Sequence, residues 1–171
     1  MFTDIQYNRI KAVEYAEKWA FSRNSRFGNF DDMGGDCTNF ASQCIYAGCG
    51  VMNYTKNIGW YFNSMHDRSA AWSGVEFLYK FLKNNTSKEN SPGPYAEETN
   101  IAQIQLGDII QLGDNTGHFY HSLVVTGKNS GNDIDSVFVT THTYDSYMRP
   151  LNSYVISQYR CLHITGCRKY S

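Results

Sequence analysis

The hydrophobic period changes once along this chain, and that change decides which folds are open to it. In three segments between Tyr7 and Lys83 apolar residues recur every three or four positions, the repeat of helices with one buried face. From Asp108 onward they fall in short runs rich in β-branched and aromatic residues: Asp108–Leu112, Tyr120–Thr126, Ser136–His142 and Gln158–Thr165. Turn signals at Gly113-Asp114-Asn115, Gly127–Asn132 and Pro150-Leu151-Asn152 separate these runs. Helices first and strands afterwards predict an α+β fold, with N-terminal helices packed on a C-terminal antiparallel sheet. With 171 residues the chain is expected to form one domain over 1–171.

Three helices are expected. The first covers Tyr7–Arg23, with Ile10, Val13, Ala16 and Ala20 inward. After a Gly-, Asn- and Asp-rich loop, Asn24–Gly35, the second starts with Asp36 as its cap and Cys37 in its first turn. Phe40, Ala41, Cys44 and Ile45 make its apolar face, and Gly48 or Gly50 can end it. The third covers Ser73–Lys83, where Ser73 and Glu76 have capping-box spacing and Val75, Leu78, Phe81 and Leu82 form the inner stripe. Asn84–Asn100, with two prolines, reads as a surface loop.

The net charge of −1, with no basic run, argues against nucleic acid or an anionic membrane as partner. No apolar stretch is long enough to span a bilayer. Met1–Asn8 lacks the basic start and apolar core of a signal peptide. The expectation is therefore a cytoplasmic protein, or else a cell-wall-associated or secreted one of which this is the catalytic domain. Aromatic residues reach 15%, enough to line a groove, although Tyr at wet core and strand-face positions accounts for the same number. The five cysteines form no C-x-x-C and have no His at zinc spacing, so neither a metal nor another cofactor is expected. Cys161 and Cys167 could bridge a short C-terminal loop; Cys44 and Cys49 read as packing residues.

Cys37 is the cysteine placed for chemistry. A thiol titrates near ~8.5 and works as its thiolate. Unpaired N–H groups and the dipole at a helix start favour that charge, and can also hold the oxyanion of a tetrahedral intermediate. Most cysteines, however, are simply half-buried packing residues. A thiol nucleophile needs a base, and His121 opens the run His121-Ser122-Leu123-Val124-Val125-Thr126 where a sheet edge could meet the helix start. His118, three residues earlier, is the competing histidine. A third polar group should orient the base. His142 or Asp145, in Thr140-Thr141-His142-Thr143-Tyr144-Asp145, could approach it across a hairpin, and the choice between them is open. Asn39 could donate toward an oxyanion or support the cap. Trp60, with Tyr61 and Phe62, could floor a substrate groove or divide between core and surface. Asp108 is expected to organise the start of its strand.

Gly34-Gly35-Asp36-Cys37-Thr38-Asn39-Phe40-Ala41-Ser42-Gln43 resembles the signature of a bacterial amidase domain family. That family is similar to the CHAP amidohydrolases and the cell-wall cysteine endopeptidases of the papain-like superfamily. Tyr7-Asn8, Gly107-Asp108-Ile109-Ile110, His121–Gly127 and His142–Asp145 resemble further family segments in the same order. The resemblance spans roughly Tyr7 to Ile164. It implies a papain-like fold, Cys37 as nucleophile, His121 as base and acid, and His142 as orienting group. It also implies a thioester acyl-enzyme and a peptide or peptidoglycan amide as substrate. Two rivals stay open: an acyltransferase built on the same Cys/His pair, and a non-catalytic binding module. The oligomeric state is not readable from the sequence.

Overall fold

A short strand, β1 (Phe2–Ile5), precedes helix α1 (Arg9–Trp19), which Asn8 caps by accepting the Lys11 N–H at 3.0 Å. The computed structural model describes residues 1–171. The buried face of α1 runs through Ala12, Ala16 and Ala20, displaced from the expected stripe, and Ile10 is 72% exposed. Alanines at these positions let α1 approach helix α2 (Cys37–Cys49) closely. Eleven of the 13 residues of α2 are buried, so it runs through the protein interior rather than along a surface. Gly50, at φ +73°, ends it, donating its N–H to the Tyr46 carbonyl at 2.7 Å.

A hairpin, β2 (Phe62–Ser64) with β3 (Asp67–Arg68), leads to a short helix, α3 (Ala70–Ser73), and then to α4 (Val75–Thr86). The expected capping box does not form, because Ser73 closes α3 and Gly74 takes the cap position of α4 without a side-chain bond. Leu78, Phe81 and Leu82 are the buried stripe of α4, as the pattern requires. Truncating one of these leucines to alanine costs about 2–5 kcal/mol.

The remaining strands are β4 (Gly93–Thr99), β5 (Ile109–Gly113), β6 (Phe119–Lys128), β7 (Val137–Thr141), β8 (Ser146–Pro150) and β9 (Gln158–Tyr170). With β1 they make one seven-stranded antiparallel sheet in the order β1-β9-β5-β6-β7-β8, and β4 also pairs with β9. Strand β9 is long enough to serve three neighbours: its beginning pairs with β5, its end with β1, and β4 runs along residues 161–168. The segment expected as a surface loop, 84–100, therefore contributes a strand. Its prolines fit because β4 pairs on one side only, so Pro94 is not required to donate.

Each face of the sheet carries a core. Ile109, Val124, Leu162 and Ile164 pack with the helices through Phe40, Ile45, Trp60, Trp72 and Leu82. Their alternating neighbours Ile110, Leu123, Val125, Val137, Val139 and Cys161 form a second core with Ile101, Ile104 and Leu151. Cys161 and Cys167 belong to different cores. Six residues along one strand separate them by about 20 Å, far beyond the ~4.4–6.8 Å between the Cα atoms of a disulfide, so they do not bridge. All five cysteines are free. No helix is long and apolar enough to cross a membrane.

Candidate active site

The Gly34-Gly35 turn delivers Cys37 to the first position of α2. Gly35 has φ +113°, and a Cβ there would fall 2.8 Å from Oγ1 of Thr143. That hydroxyl accepts the Asp36 N–H at 3.0 Å, so the close approach itself fixes where the helix starts. Asp36 occupies the cap position but does not cap with its side chain. Its Oδ1 accepts the Phe30 N–H and the Asn39 side-chain amide, both at 2.9 Å, and its Oδ2 lies 2.5 Å from Nδ1 of His142.

Cys37 is 6% exposed. Its Sγ lies 3.7 Å from the Thr38 hydroxyl, which is 3.0 Å from the hydroxyl of Ser122 in β6. Burial pushes the thiol pKa up. Hydrogen bonds from the Ser122 backbone and from the Thr38 hydroxyl and backbone pull the other way, and the Asp36 charge adds to the rise. The helix start thus meets β6 at Ser122, the residue after His121.

His121 pairs with Leu112 of β5, and its ring lies 6.1 Å from that of Tyr154. It is 9% exposed. Burial first, then the Arg149 guanidinium, lowers its pKa from the usual 6.5 to about 4. The imidazole is therefore neutral near pH 7 and able to accept a proton, and the thiol beside Ser122 remains protonated. No hydrogen bond joins the two side chains in this arrangement. His118 lies in the exposed turn before β6.

The expected orienting groups are committed elsewhere. His142 places Nδ1 on Asp36 and Nε2 2.7 Å from the Trp19 carbonyl, and its ring stacks on Phe40 with centroids 4.0 Å apart. Asp145 accepts both terminal nitrogens of Arg23 at 2.9 Å, and Arg23 also reaches Asp31 at 3.0 Å. Neither residue hydrogen-bonds His121. Both instead brace the loop and cap that hold Cys37.

For Trp60 and Asn39, where two roles stood open, the structure takes the packing role in each. Trp60 is fully buried 4.8 Å from Trp72, with its indole N–H donated to Ser42 at 3.0 Å, and it has no surface to offer a substrate. Asn39 is also fully buried; its amide donates to Asp36 and the Phe27 carbonyl, and its oxygen accepts from Trp72 at 2.8 Å. It supports the cap and has no free donor for an oxyanion. Asp108 organises its strand start as expected, binding Arg9, His163 and the Ile164 N–H.

The residues that sequence reasoning missed are Tyr154 and Arg149. The Arg149 guanidinium lies 3.7 Å from the Tyr154 ring centroid. The Tyr154 hydroxyl is buried, with Ser146 and Arg149 nearby but no hydrogen bond of good geometry. The ring lies 6.1 Å from that of His121, so Tyr154 borders the imidazole. Neither residue carries a sequence signal, since each falls in or beside an irregular segment. No group of three His, Cys, Asp or Glu side chains is close enough to share a metal ion.

These features define an α+β protein that presents a helix-start thiol against a sheet strand carrying a histidine. The chain belongs to the family described as "Putative amidase domain", whose sequence profile matches residues 6–164. That membership points to amide hydrolysis in general terms. The chain is also similar to YhbB of Bacillus subtilis (strain 168), an uncharacterized protein, with 33% identity over 147 residues. The match covers 84% of this chain and 44% of YhbB, so the chain spans less than half of that relative. No solved structure matches.

Proposed function

We propose that this protein is a cysteine-dependent amidohydrolase of papain-like type, with residues 1–171 as its single catalytic domain. Cys37 is the nucleophile and His121 the base. One observation carries the reading: the thiol sits at the first residue of a buried helix, against the Ser122 backbone that directly follows His121.

A protonated thiol and a neutral imidazole support a sequence in which proton transfer accompanies attack. With the thiol protonated and the imidazole neutral, the Cys37 proton passes to His121 as the sulfur attacks the substrate carbonyl. The oxyanion is stabilised by N–H groups at the start of α2. His121 then returns the proton to the leaving nitrogen, the C–N bond breaks and a thioester remains on Cys37. Water attacks the thioester, releasing the carboxylic acid and restoring the thiol. The neutral starting pair differs from a preformed thiolate–imidazolium pair. His142 and Asp145 act as positioning residues for the Cys37 segment.

Peptidoglycan amide bonds are the proposed substrate, on the resemblance of the Cys37 and His121 segments to cell-wall enzymes. The test is digestion of purified peptidoglycan by the wild type and by Cys37→Ala, with mass spectrometry of the soluble products. New amine and carboxylate ends from the wild type alone support the proposal. Activity on other amides, with none on any wall preparation, retains the chemistry and rejects the substrate.

The burial and raised pKa of Cys37 also favour a second reading, a binding module whose cysteine is inert. Alkylation with iodoacetamide separates the two: substrate fragments that assemble the site should accelerate modification of Cys37 if it is catalytic, and leave it slow if it is not.

A further inference from the structure

A cavity of about 290 Å³ opens between α4 and the loop of residues 53–59, and neither Cys37 nor His121 lines it. Phe77, Lys80, Asn84 and Lys88 recur at three- or four-residue spacing, so one face of α4 and its continuation form one wall. The opposite wall is fixed in place. Asn53 and Trp60 exchange backbone hydrogen bonds at 2.8 and 2.7 Å, closing the loop on itself. The Asn53 side chain binds Ser91, the Pro92 carbonyl and the Thr55 N–H. Gly59 leaves so little room that a Cβ would lie 2.2 Å from the Asn53 carbonyl oxygen.

The lining has a definite chemistry. No carboxylate contributes to it, whereas Lys80 and Lys88 do, and neither lysine takes part in an ion pair. Asn85 is 1% exposed and donates its amide to the Pro92 and Pro94 carbonyls, yet its Oδ1 has no partner. That oxygen is closed off from solvent, so the lining amides open to a ligand are those of the exposed Asn57 and Asn84. Phe77 and Ile58, more than half exposed, supply apolar surface around the opening.

We propose that this cavity binds a saccharide unit bearing a negative charge. Amide groups exchange hydrogen bonds with hydroxyl and acetamido groups, the Phe77 ring offers a face for sugar C–H bonds, and the two ammonium groups select the anion. The volume lies just below the usual range for ligand pockets, about 300–1,000 Å³, which suits one sugar ring and not an oligomer. The site does not depend on the hydrolase reading, because nothing in it involves Cys37. It gives the protein a second point of attachment to an anionic glycan.

The test reads binding and not turnover, so its outcome is separate from whether Cys37 hydrolyses anything. The whole chain is titrated with N-acetylmuramic acid, glucose 6-phosphate, N-acetylglucosamine and inorganic phosphate, following backbone amide shifts of residues 53–59 and 77–91 by NMR. The expected result is that at least one charged sugar shifts these residues and binds about tenfold or more tighter than N-acetylglucosamine. Which charged sugar binds identifies the anion as carboxylate or phosphate. The double variant Lys80→Ala/Lys88→Ala, at two exposed positions, should lose that preference while keeping the wild-type spectrum elsewhere. Equal binding of the neutral sugar overturns the role of the lysines. Equal binding of inorganic phosphate overturns the saccharide assignment, and no shift with any probe at about 10 mM overturns the site.

Discussion

Nδ1 of His142 lies 2.5 Å from Oδ2 of Asp36, and this contact joins the end of β7 to the residue immediately before Cys37. Both side chains are fully buried, and Nε2 of His142 completes the link at the Trp19 carbonyl. The position of the candidate nucleophile is thus set by a histidine far away in sequence that makes no hydrogen bond to the candidate base.

Removing that histidine should be costly. His142→Ala leaves the buried Asp36 Oδ2 with only the Arg23 Nε, 3.4 Å away, while Oδ1 keeps the Phe30 N–H and the Asn39 amide. Loss of one partner from a buried pair typically costs about 3–5 kcal/mol. Urea denaturation should show a loss toward the lower end, about 3 kcal/mol, because Arg23 remains. A change below about 0.5 kcal/mol would mean that the contact contributes nothing to folding.

Stability should fall in mild acid through His121. Its folded pKa is about 4 against an ordinary 6.5, so between those values the unfolded chain binds a proton that the folded protein does not. The contribution is full above pH 6.5, declines as pH falls, and is lost by about pH 4. The difference corresponds to about 3 kcal/mol in the limit. Denaturation measured at pH 7 and pH 4.5 should show much of this decline in the wild type and a smaller one in His121→Gln. Equal declines in the two proteins would assign the acid sensitivity to other groups.

Tyr154→Phe keeps the ring beside His121 and under Arg149 while deleting the hydroxyl. That hydroxyl is buried without a well-formed hydrogen bond, so its removal should leave stability within about 1 kcal/mol of wild type. Calorimetry checks the value. A loss above about 2 kcal/mol would show that the phenol is bonded in solution.

Trp60→Phe should lower the melting temperature without altering substrate affinity. The variant loses the hydrogen bond to Ser42 and part of a buried ring, which together cost about 2–3 kcal/mol. An unchanged KM with a lowered Tm fits a core residue, whereas a raised KM at constant Tm would return Trp60 to a substrate groove.

The period change made the α+β layout and the four central strands legible, because strands buried on both faces read as short, nearly continuous runs of β-branched and aromatic residues. The start of α2 was legible for the same kind of local reason: two glycines, Asp36 and an apolar face. β1, β4 and β8 were not. They lie in irregular or polar sequence and take their structure from pairing with a neighbour, β9 for β1 and β4 and β7 for β8. The surroundings of the candidate site divided along similar lines. Cys37 and His121 stand out by local context, but the destinations of His142, Asp145 and Trp60 are tertiary. Their partners Asp36, Arg23 and Ser42 lie 106, 122 and 18 residues away.

The most direct test of Cys37 chemistry is capture of the acyl-enzyme. Rapid acid quench of the protein turning over a peptidoglycan-derived amide, followed by peptide mapping, should find the acyl fragment on the Cys37 peptide. Hydroxylamine should release it, as expected for a thioester, and Cys37→Ala should carry none and release no product. Undiminished turnover by Cys37→Ala, or an acyl group on another residue, would contradict the account.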